Sequence, residues 1–383
     1  MLLRDSAERG PHRRGKRVNE HGETWRVPGY TEVRELGSGA SGRVVLAHRD
    51  GDDFPVAIKY LSDRLLHDPD FLFRFRYEAE LLALIRSPYA ARLYEYVEAP
   101  GGAAIIMELV DGVSLRALLR TEGPTGPEAA LVVLKGALLG LAAAHANDVV
   151  HRDVKPENVL VDADGNSKIV DFGIAVRAGD DVSGAGTPAY MAPEQWSGAP
   201  ATPATDVYAA TAVFFECLTG VQPYRAPNLA AIARLHQVMP PPADQVPEPL
   251  RDLVERGLAK HPADRPPSAE AFADELEAVA VAAYGPDWEE RGRRRLARLA
   301  ALFASAFPLG GPADDANTAL AETRLPRTPS TTRMARPRRR PTGRILAGAG
   351  AAAAVLVVAI VIGVVNSGRS EVTAQIAASS PRP

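Results

Sequence analysis

From Tyr30 onward the chain alternates short apolar and polar positions, then passes into long amphipathic stretches that run to about Ala283. In Phe54-Pro-Val-Ala-Ile-Lys-Tyr-Leu61, period two places Val56 and Ile58 on one face of a strand and Ala57 and Lys59 on the other. Val44 to Ala47 has the same strand character. Further on, Phe71, Phe75, Glu78, Leu82 and Ile85 fall on one stripe at helical spacing, which sets a carboxylate in a face that should be buried. Strands first and helices after predict an α+β fold, and no internal repeat interrupts the pattern.

The flanks read differently. Residues 1–27 are charged and lack either periodicity, as expected of a disordered leader. The compact pattern predicts a domain over 30–283. Residues 284–344 turn to Arg, Pro, Thr and Ala, with a short basic helical stretch around Arg291 to Phe307 and then a linker rich in Pro and Thr. Ile345 to Val365 are 21 residues without a charge, and at about 1.5 Å each they cover the roughly 30 Å hydrocarbon core of a bilayer, although the alanines and glycines from Ala347 to Ala354 leave a buried helix of a soluble domain as the alternative. Eight arginines precede that stretch from Arg324 to Arg344, against Arg369 and Arg382 after it, so the positive-inside rule puts the domain in the cytoplasm of a single-pass protein in the cell membrane. A tail of 366–383 is too short for a core, so no extracytoplasmic sensor domain is expected.

Composition narrows the function. A net charge of -3 argues against a nucleic-acid partner. Cys217 is the only cysteine, which removes a disulfide framework and thiolate metal sites and suits a reducing setting. The N-terminus lacks the apolar core of a secretory signal.

Several segments carry candidate chemistry. In Leu36-Gly-Ser-Gly-Ala-Ser-Gly-Arg-Val44, glycines let backbone N–H groups approach phosphate oxygens, although an unliganded hairpin would look the same. Strand periodicity after Gly42 argues against a dinucleotide fingerprint. Lys59, among apolar strand residues, needs an anion, and with Glu78 the nearest candidate a Lys59–Glu78 pair would aim the ammonium at ATP phosphates, although taken separately Glu78 reads as a solvated helix glutamate. In His151-Arg-Asp-Val-Lys-Pro-Glu-Asn-Val-Leu160, Pro156 rules out a regular helix, and Asp153, Lys155 and Asn158 project from a loop. Lys168-Ile-Val-Asp-Phe-Gly173 follows. Phosphoryl transfer needs oxygen ligands for a divalent metal, a cation on the moving group and a carboxylate that orients the attacking hydroxyl. Asn158 with Asp171, then Lys155, then Asp153 match those needs.

With Ala192-Pro-Glu194 added, the sequence resembles the eukaryotic-like protein kinase family over about Tyr30 to Ala283, and in detail its membrane-anchored bacterial serine/threonine members. The resemblance implies a bilobal kinase fold, with a small β-rich N-lobe and a large α-helical C-lobe, ahead of one C-terminal transmembrane helix. It implies ATP with Mg²⁺, or Mn²⁺ in its place, and protein substrates bearing Ser or Thr, the chain itself among them. By the same resemblance Leu36, Gly37, Ser38, Gly39, Ala40, Ser41 and Gly42 cover the phosphates, Val44, Ala57 and Leu160 enclose the adenine, Met107 is the gatekeeper, and Glu108 to Val110 form the hinge. Thr187 contacts Asp153 and Lys155, Glu194 pairs with Arg265, and Asp206 braces the catalytic loop. All of Lys59, Glu78, Asp153, Asn158 and Asp171 are present, which favours a catalyst over a pseudokinase scaffold.

Two departures stand out. Where relatives carry phosphorylated threonines the chain reads Gly179-Asp-Asp-Val182, so Asp180 or Asp181 is expected to stand in partly for phosphate, unless both are simply solvated. Thr211 replaces a usual glycine and reads as tolerated packing variation. Thr323, Thr328, Thr331 and Thr332 are candidate autophosphorylation sites or inert spacer. Gly348, Ala352 and Gly363 admit close contact between spans, and with it a homodimer.

Overall fold

A computed structural model describes residues 25–39, 42–172 and 188–306 of the chain. The first lobe is a five-stranded antiparallel sheet of β1 (Tyr30–Gly39), β2 (Gly42–Arg49), β3 (Pro55–Leu61), β4 (Leu93–Ala99) and β5 (Gly102–Glu108), in the order β1-β2-β3-β5-β4. Period two is realised: Val56 and Ile58 join Val45, Ala47, Tyr60, Ala104 and Ile106 in one small core. Gly42 opens β2 at φ 142°, where any Cβ would overlap the Tyr60 carbonyl, so this position accepts only glycine.

After a short helix α1 (Asp63–Leu66), helix α2 (Pro69–Leu82) covers the other face of the sheet. Asp68 caps it by accepting from the Phe71 N–H at 3.0 Å. Phe71, Phe75 and Leu82 of the expected stripe are buried, as is Ile85 just beyond, while Phe73 and Tyr77 face outward.

The second lobe starts with β6 (Gly112–Ser114), α3 (Leu115–Glu122) and α4 (Pro127–His145). β7 (Val159–Asp162) and β8 (Ser167–Ile169) then pair with β6 in the order β6-β7-β8. The helices α5 (Pro193–Trp196), α6 (Pro203–Thr219), α7 (Leu229–Val238), α8 (Arg251–Gly257) and α9 (Ala269–Tyr284) complete the bundle. Among the described residues α4 alone is long and apolar enough to cross a membrane, and its buried side chains make it the core helix of this lobe. α6 lies against it, apolar around most of its circumference. Thr211 is fully buried there, its hydroxyl bonded to the Val207 carbonyl at 2.8 Å, and it fits because α8 presents Gly257 to it.

The packed unit extends past the expected boundary at Ala283. Helix α10 (Trp288–Ala306) includes the basic stretch assigned to the linker, yet Trp288, Leu296 and Leu299 are buried against α3, α4 and β7. Arginines crowd its sequence and mask an inward stripe at i, i+4, i+8 and i+11 formed by Trp288, Gly292, Leu296 and Leu299. Gly292 permits the approach, since a Cβ there would lie 2.5 Å from the Glu128 carbonyl oxygen. Lys135 locks the join, bonding Glu277 of α9 and Glu289 of α10 at 2.7 Å each. The leader to residue 24 and everything from 307 on, the candidate span included, lie outside the described residues.

Two stability outcomes are expected. Trp288→Ala should cost about 3–5 kcal/mol in urea unfolding, the usual range for emptying a buried tryptophan site; a linker residue would cost almost nothing. His236 is fully buried, with Nδ1 2.8 Å from the Tyr208 hydroxyl. Burial, aided by the nearby Lys260 ammonium, pushes its pKa down to about 3. The unfolded imidazole takes up a proton near 6.5 and the folded one does not, so stability present above that pH is lost as pH falls from 6.5 toward 3. The loss should be about 2 kcal/mol between pH 7 and pH 5. His236→Gln should flatten that slope, and equal slopes in the two proteins would refute the assignment.

Candidate active site

The loop from Val149 to Asn158 contains no regular helix beyond one turn at Pro156–Asn158, so its backbone donors need partners from elsewhere. The buried Asp206 on α6 supplies them: Oδ2 accepts from the His151 N–H at 2.7 Å and Oδ1 from the Arg152 N–H at 2.9 Å. His145 Nε2 lies 2.8 Å from the same carboxylate. The anchoring holds Arg152 at φ 69°, a left-handed conformation that costs a non-glycine residue on the order of 1–3 kcal/mol. His151 in turn reaches the Val170 carbonyl at 3.1 Å and stacks on Phe172 with ring centres 4.7 Å apart, tying this loop to the one that carries Asp171. Asp171 is also left-handed, at φ 57°.

The candidate catalytic residues converge. Lys155 Nζ donates to Asp153 Oδ2 at 2.6 Å, and Asn158 Nδ2 donates to the Asp153 carbonyl at 2.8 Å. Burial works to lower the Lys155 pKa, but the Asp153 carboxylate, with Asp171 and Glu157 farther off, outweighs it and holds the ammonium above its ordinary value. Asn158 is fully buried, and its Oδ1 has no protein partner. An unpaired buried amide oxygen is a ligand that a hard divalent cation takes, and the Val170 N–H bond to the Asn158 carbonyl at 2.9 Å ties that residue to the segment carrying Asp171, so Asn158 and Asp171 are the oxygen donors available to a metal.

The expected Lys59–Glu78 pair is not formed. Lys59 donates to Asp171, and Glu78 accepts from Arg152 Nη1 at 2.7 Å. Burial would raise the Asp171 pKa, but Lys59, then Lys155 and His151, keep the carboxyl below its usual range. The sequence argument chose the anion nearest Lys59 along the chain. The fold brings a carboxylate 112 residues away into contact instead, and Glu78 then takes the guanidinium within its reach.

The nucleotide-side candidates sit on the facing walls of the two lobes. Gly37, Ser38 and Gly39 on β1 pair with Val44, Arg43 and Gly42 on β2, and Leu36 lies between Glu35 and Gly37 at a bulge. Val44 pairs with Lys59, and Ala57 pairs with both Leu46 and Met107. Leu160 lies on β7 between Ser114 and Lys168. Glu108 closes β5; its side chain bonds Lys168 and the Arg92 N–H, and its own N–H donates to the Arg92 carbonyl at 2.8 Å. Val110 follows in the connection to β6. Ala40, Ser41, Gly173, Asp180, Asp181, Ser183 and Thr187 lie outside the described residues.

Below the loop, Arg265 grips Glu194 with two bonds of 2.8 Å, and the Thr205 hydroxyl adds a third at 2.8 Å. Burial alone would raise the Glu194 pKa; the guanidinium pulls it below the ordinary value. Sequence reasoning missed Arg116. From α3 it bonds Glu157 of the catalytic loop at 2.8 Å, Glu216 of α6 at 2.7 Å and the Tyr190 hydroxyl. A polar residue near the start of an amphipathic helix reads as solvated, and only its burial sets it apart.

Residues 30–276 match the protein kinase domain family, and the chain belongs to it. Over 245 residues it is 38% identical to serine/threonine-protein kinase PknE of Mycobacterium bovis, covering 62% of this chain and 43% of PknE. It is 38% identical over 247 residues to PknD of Mycobacterium tuberculosis, covering 62% and 37%. Over 287 residues it is 38% identical to PknL of Mycobacterium tuberculosis, covering 71% and 72%. The chain thus spans less than half the length of PknE and PknD. A crystal structure of the Mycobacterium tuberculosis PknI kinase domain superimposes with a TM-score of 0.53 at 29% identity, covering 67% of this chain and 98% of that one. The bilobal kinase fold and the use of ATP with a divalent metal come with the family.

Asp206 and Glu78 should separate in mutational cost. Glu78→Gln weakens a partly exposed ion pair and should change stability by no more than about 1 kcal/mol. Asp206→Asn removes the charge from two buried backbone bonds and should cost about 1.5–3 kcal/mol. Urea unfolding of both variants checks this, and equal costs would dismiss Asp206 as the main brace.

Proposed function

We propose that this chain is a protein serine/threonine kinase that transfers the γ-phosphoryl group of ATP to Ser and Thr hydroxyls of proteins, itself included. The observation that carries the reading is the meeting of Asp153, Lys155, Asn158, Asp171 and Lys59 in one cleft, with Asn158 Oδ1 buried and unpaired. ATP with Mg²⁺ or Mn²⁺ supplies the phosphoryl group and the charge that screens it. Asn158 and Asp171 would hold the metal through oxygen. Asp153 would accept the hydrogen bond of the attacking hydroxyl and orient it, while Lys155, already beside that carboxylate, would neutralise charge gathering on the transferred group. Lys59 would leave Asp171 for the phosphates. Glu78 would then exchange Arg152 for Lys59, which makes the arrangement described above a resting one.

The site roles of Leu36 to Gly42, Val44, Ala57, Met107, Glu108, Val110 and Leu160 in holding ATP belong to the same proposal. So does anchorage in the cell membrane through residues 345–365 with the kinase domain cytoplasmic; its support is the uncharged run and the arginine asymmetry around it.

Labelled ATP with Mg²⁺ or Mn²⁺ tests the activity on the chain and on a generic basic protein. Label on serine and threonine is expected, and Asp153→Asn should lower kcat by about 10²–10⁴. Lys59→Met should remove most of the remainder. No transfer under either metal, with ATP still bound, would reduce the protein to a nucleotide-binding scaffold. Asn158→Leu should weaken Mn²⁺ binding in the presence of a non-hydrolysable nucleotide, read by electron paramagnetic resonance, while leaving metal-free nucleotide binding nearly unchanged.

A further inference from the structure

The inward stripe of α10 leaves an outward one. Arg291, Arg294, Arg295 and Arg298 follow at i, i+3, i+4 and i+7, and with the start of α4 from Thr125 to Ala129 they line a groove of 810 Å³. Arg291 is committed to Glu128, at 2.5 and 2.8 Å. Glu290 is the acidic group on this face, 3.3 Å from Arg293 and 3.6 Å from Arg294. Arg295 and Arg298 are exposed, and no carboxylate among the described residues pairs with either. α4 begins at Gly126 without a side-chain cap, so the positive end of its dipole adds to the same side.

Arg295 and Arg298 are thus open to an external anion, and the chain beyond them indicates one. Residues 307–344 connect α10 to the uncharged stretch 345–365, a tether short enough to keep this face at high effective concentration near a bilayer surface. Such a surface carries lipid phosphates, and each arginine within a Debye length of it contributes roughly five-fold to association. We propose that the arginine face of α10 docks the kinase domain on an anionic lipid surface, which fixes the orientation of the domain against the membrane. This rests on the membrane-anchored reading above. The docking face is built on α3, α4 and β7, whereas α5, which carries Glu194, packs with α7.

The full chain, reconstituted in lipid nanodiscs, tests the proposal. Cys217 is buried with its thiol pushed up, so Ala301→Cys at the exposed end of the face can be labelled selectively with a donor dye. Energy transfer to an acceptor on lipid headgroups is expected to be high when about one-third of the lipid is phosphatidylglycerol, and low in pure phosphatidylcholine or at high salt. Arg295→Glu with Arg298→Glu should shift the docked population by roughly thirty-fold or more. Reversal of two exposed arginines elsewhere, Arg234→Glu with Arg251→Glu, should leave it unchanged.

Transfer that ignores lipid charge, or survives the α10 reversals, overturns the docking while the anchor stands. A dye response to a phosphothreonine peptide of the linker, without any response to lipid charge, overturns it in favour of a phosphate-bearing segment. A chain that fails to remain with the nanodiscs in high salt defeats the anchor itself, and docking with it.

Discussion

The carboxylate of Asp206 is the point on which the second lobe's chemistry depends. One buried anion satisfies two consecutive backbone donors of a loop that has no ladder of its own, and it reaches His145 as well. With Arg152 held at positive φ, its own side chain and that of the next residue are aimed in different directions: Arg152 toward Glu78, Asp153 toward Lys155. A loop with ordinary dihedrals and solvated amides would have many orientations available, and the few polar groups that must meet would meet rarely. Arg116 does a similar service from below, gathering Glu157, Glu216 and Tyr190 from three separate parts of the chain.

Above this fixed loop the charges are exchangeable. Lys59 and Glu78 belong to elements of the small lobe, whereas Asp171 and Arg152 belong to the large one. The two observed ion pairs therefore run between lobes, and each compensates a charge that would otherwise be left partly desolvated in the cleft. On the proposed function, a ligand bearing both phosphates and a cation would replace those partners without leaving a charge bare.

Much of this was legible beforehand, for reasons that can be named. Period-two alternation placed Ala57 and Lys59, the helical stripe placed Phe71, Phe75 and Leu82, and Pro156 marked the loop. These are local regularities, set within one turn or one strand. The partner of Lys59 was misread because electrostatic pairing depends on distance in space and not along the chain. The packing of α10 was misread because five arginines lower its average hydrophobicity below that of a buried helix, although its apolar residues keep strict helical phase. Arg116 left no sequence signal at all.

Thr211 and Gly257 carry a consequence for how this chain can vary. The threonine occupies the space that an absent side chain on α8 leaves open, so the two identities form a single steric unit across 46 positions. A glycine inside a helix can usually become alanine with a gain in helix propensity; at 257 the same change collides with a β-branched neighbour that cannot rotate away. A larger residue at 257 is therefore accommodated only together with a smaller one at 211, so the two positions can change as a pair where neither can change alone.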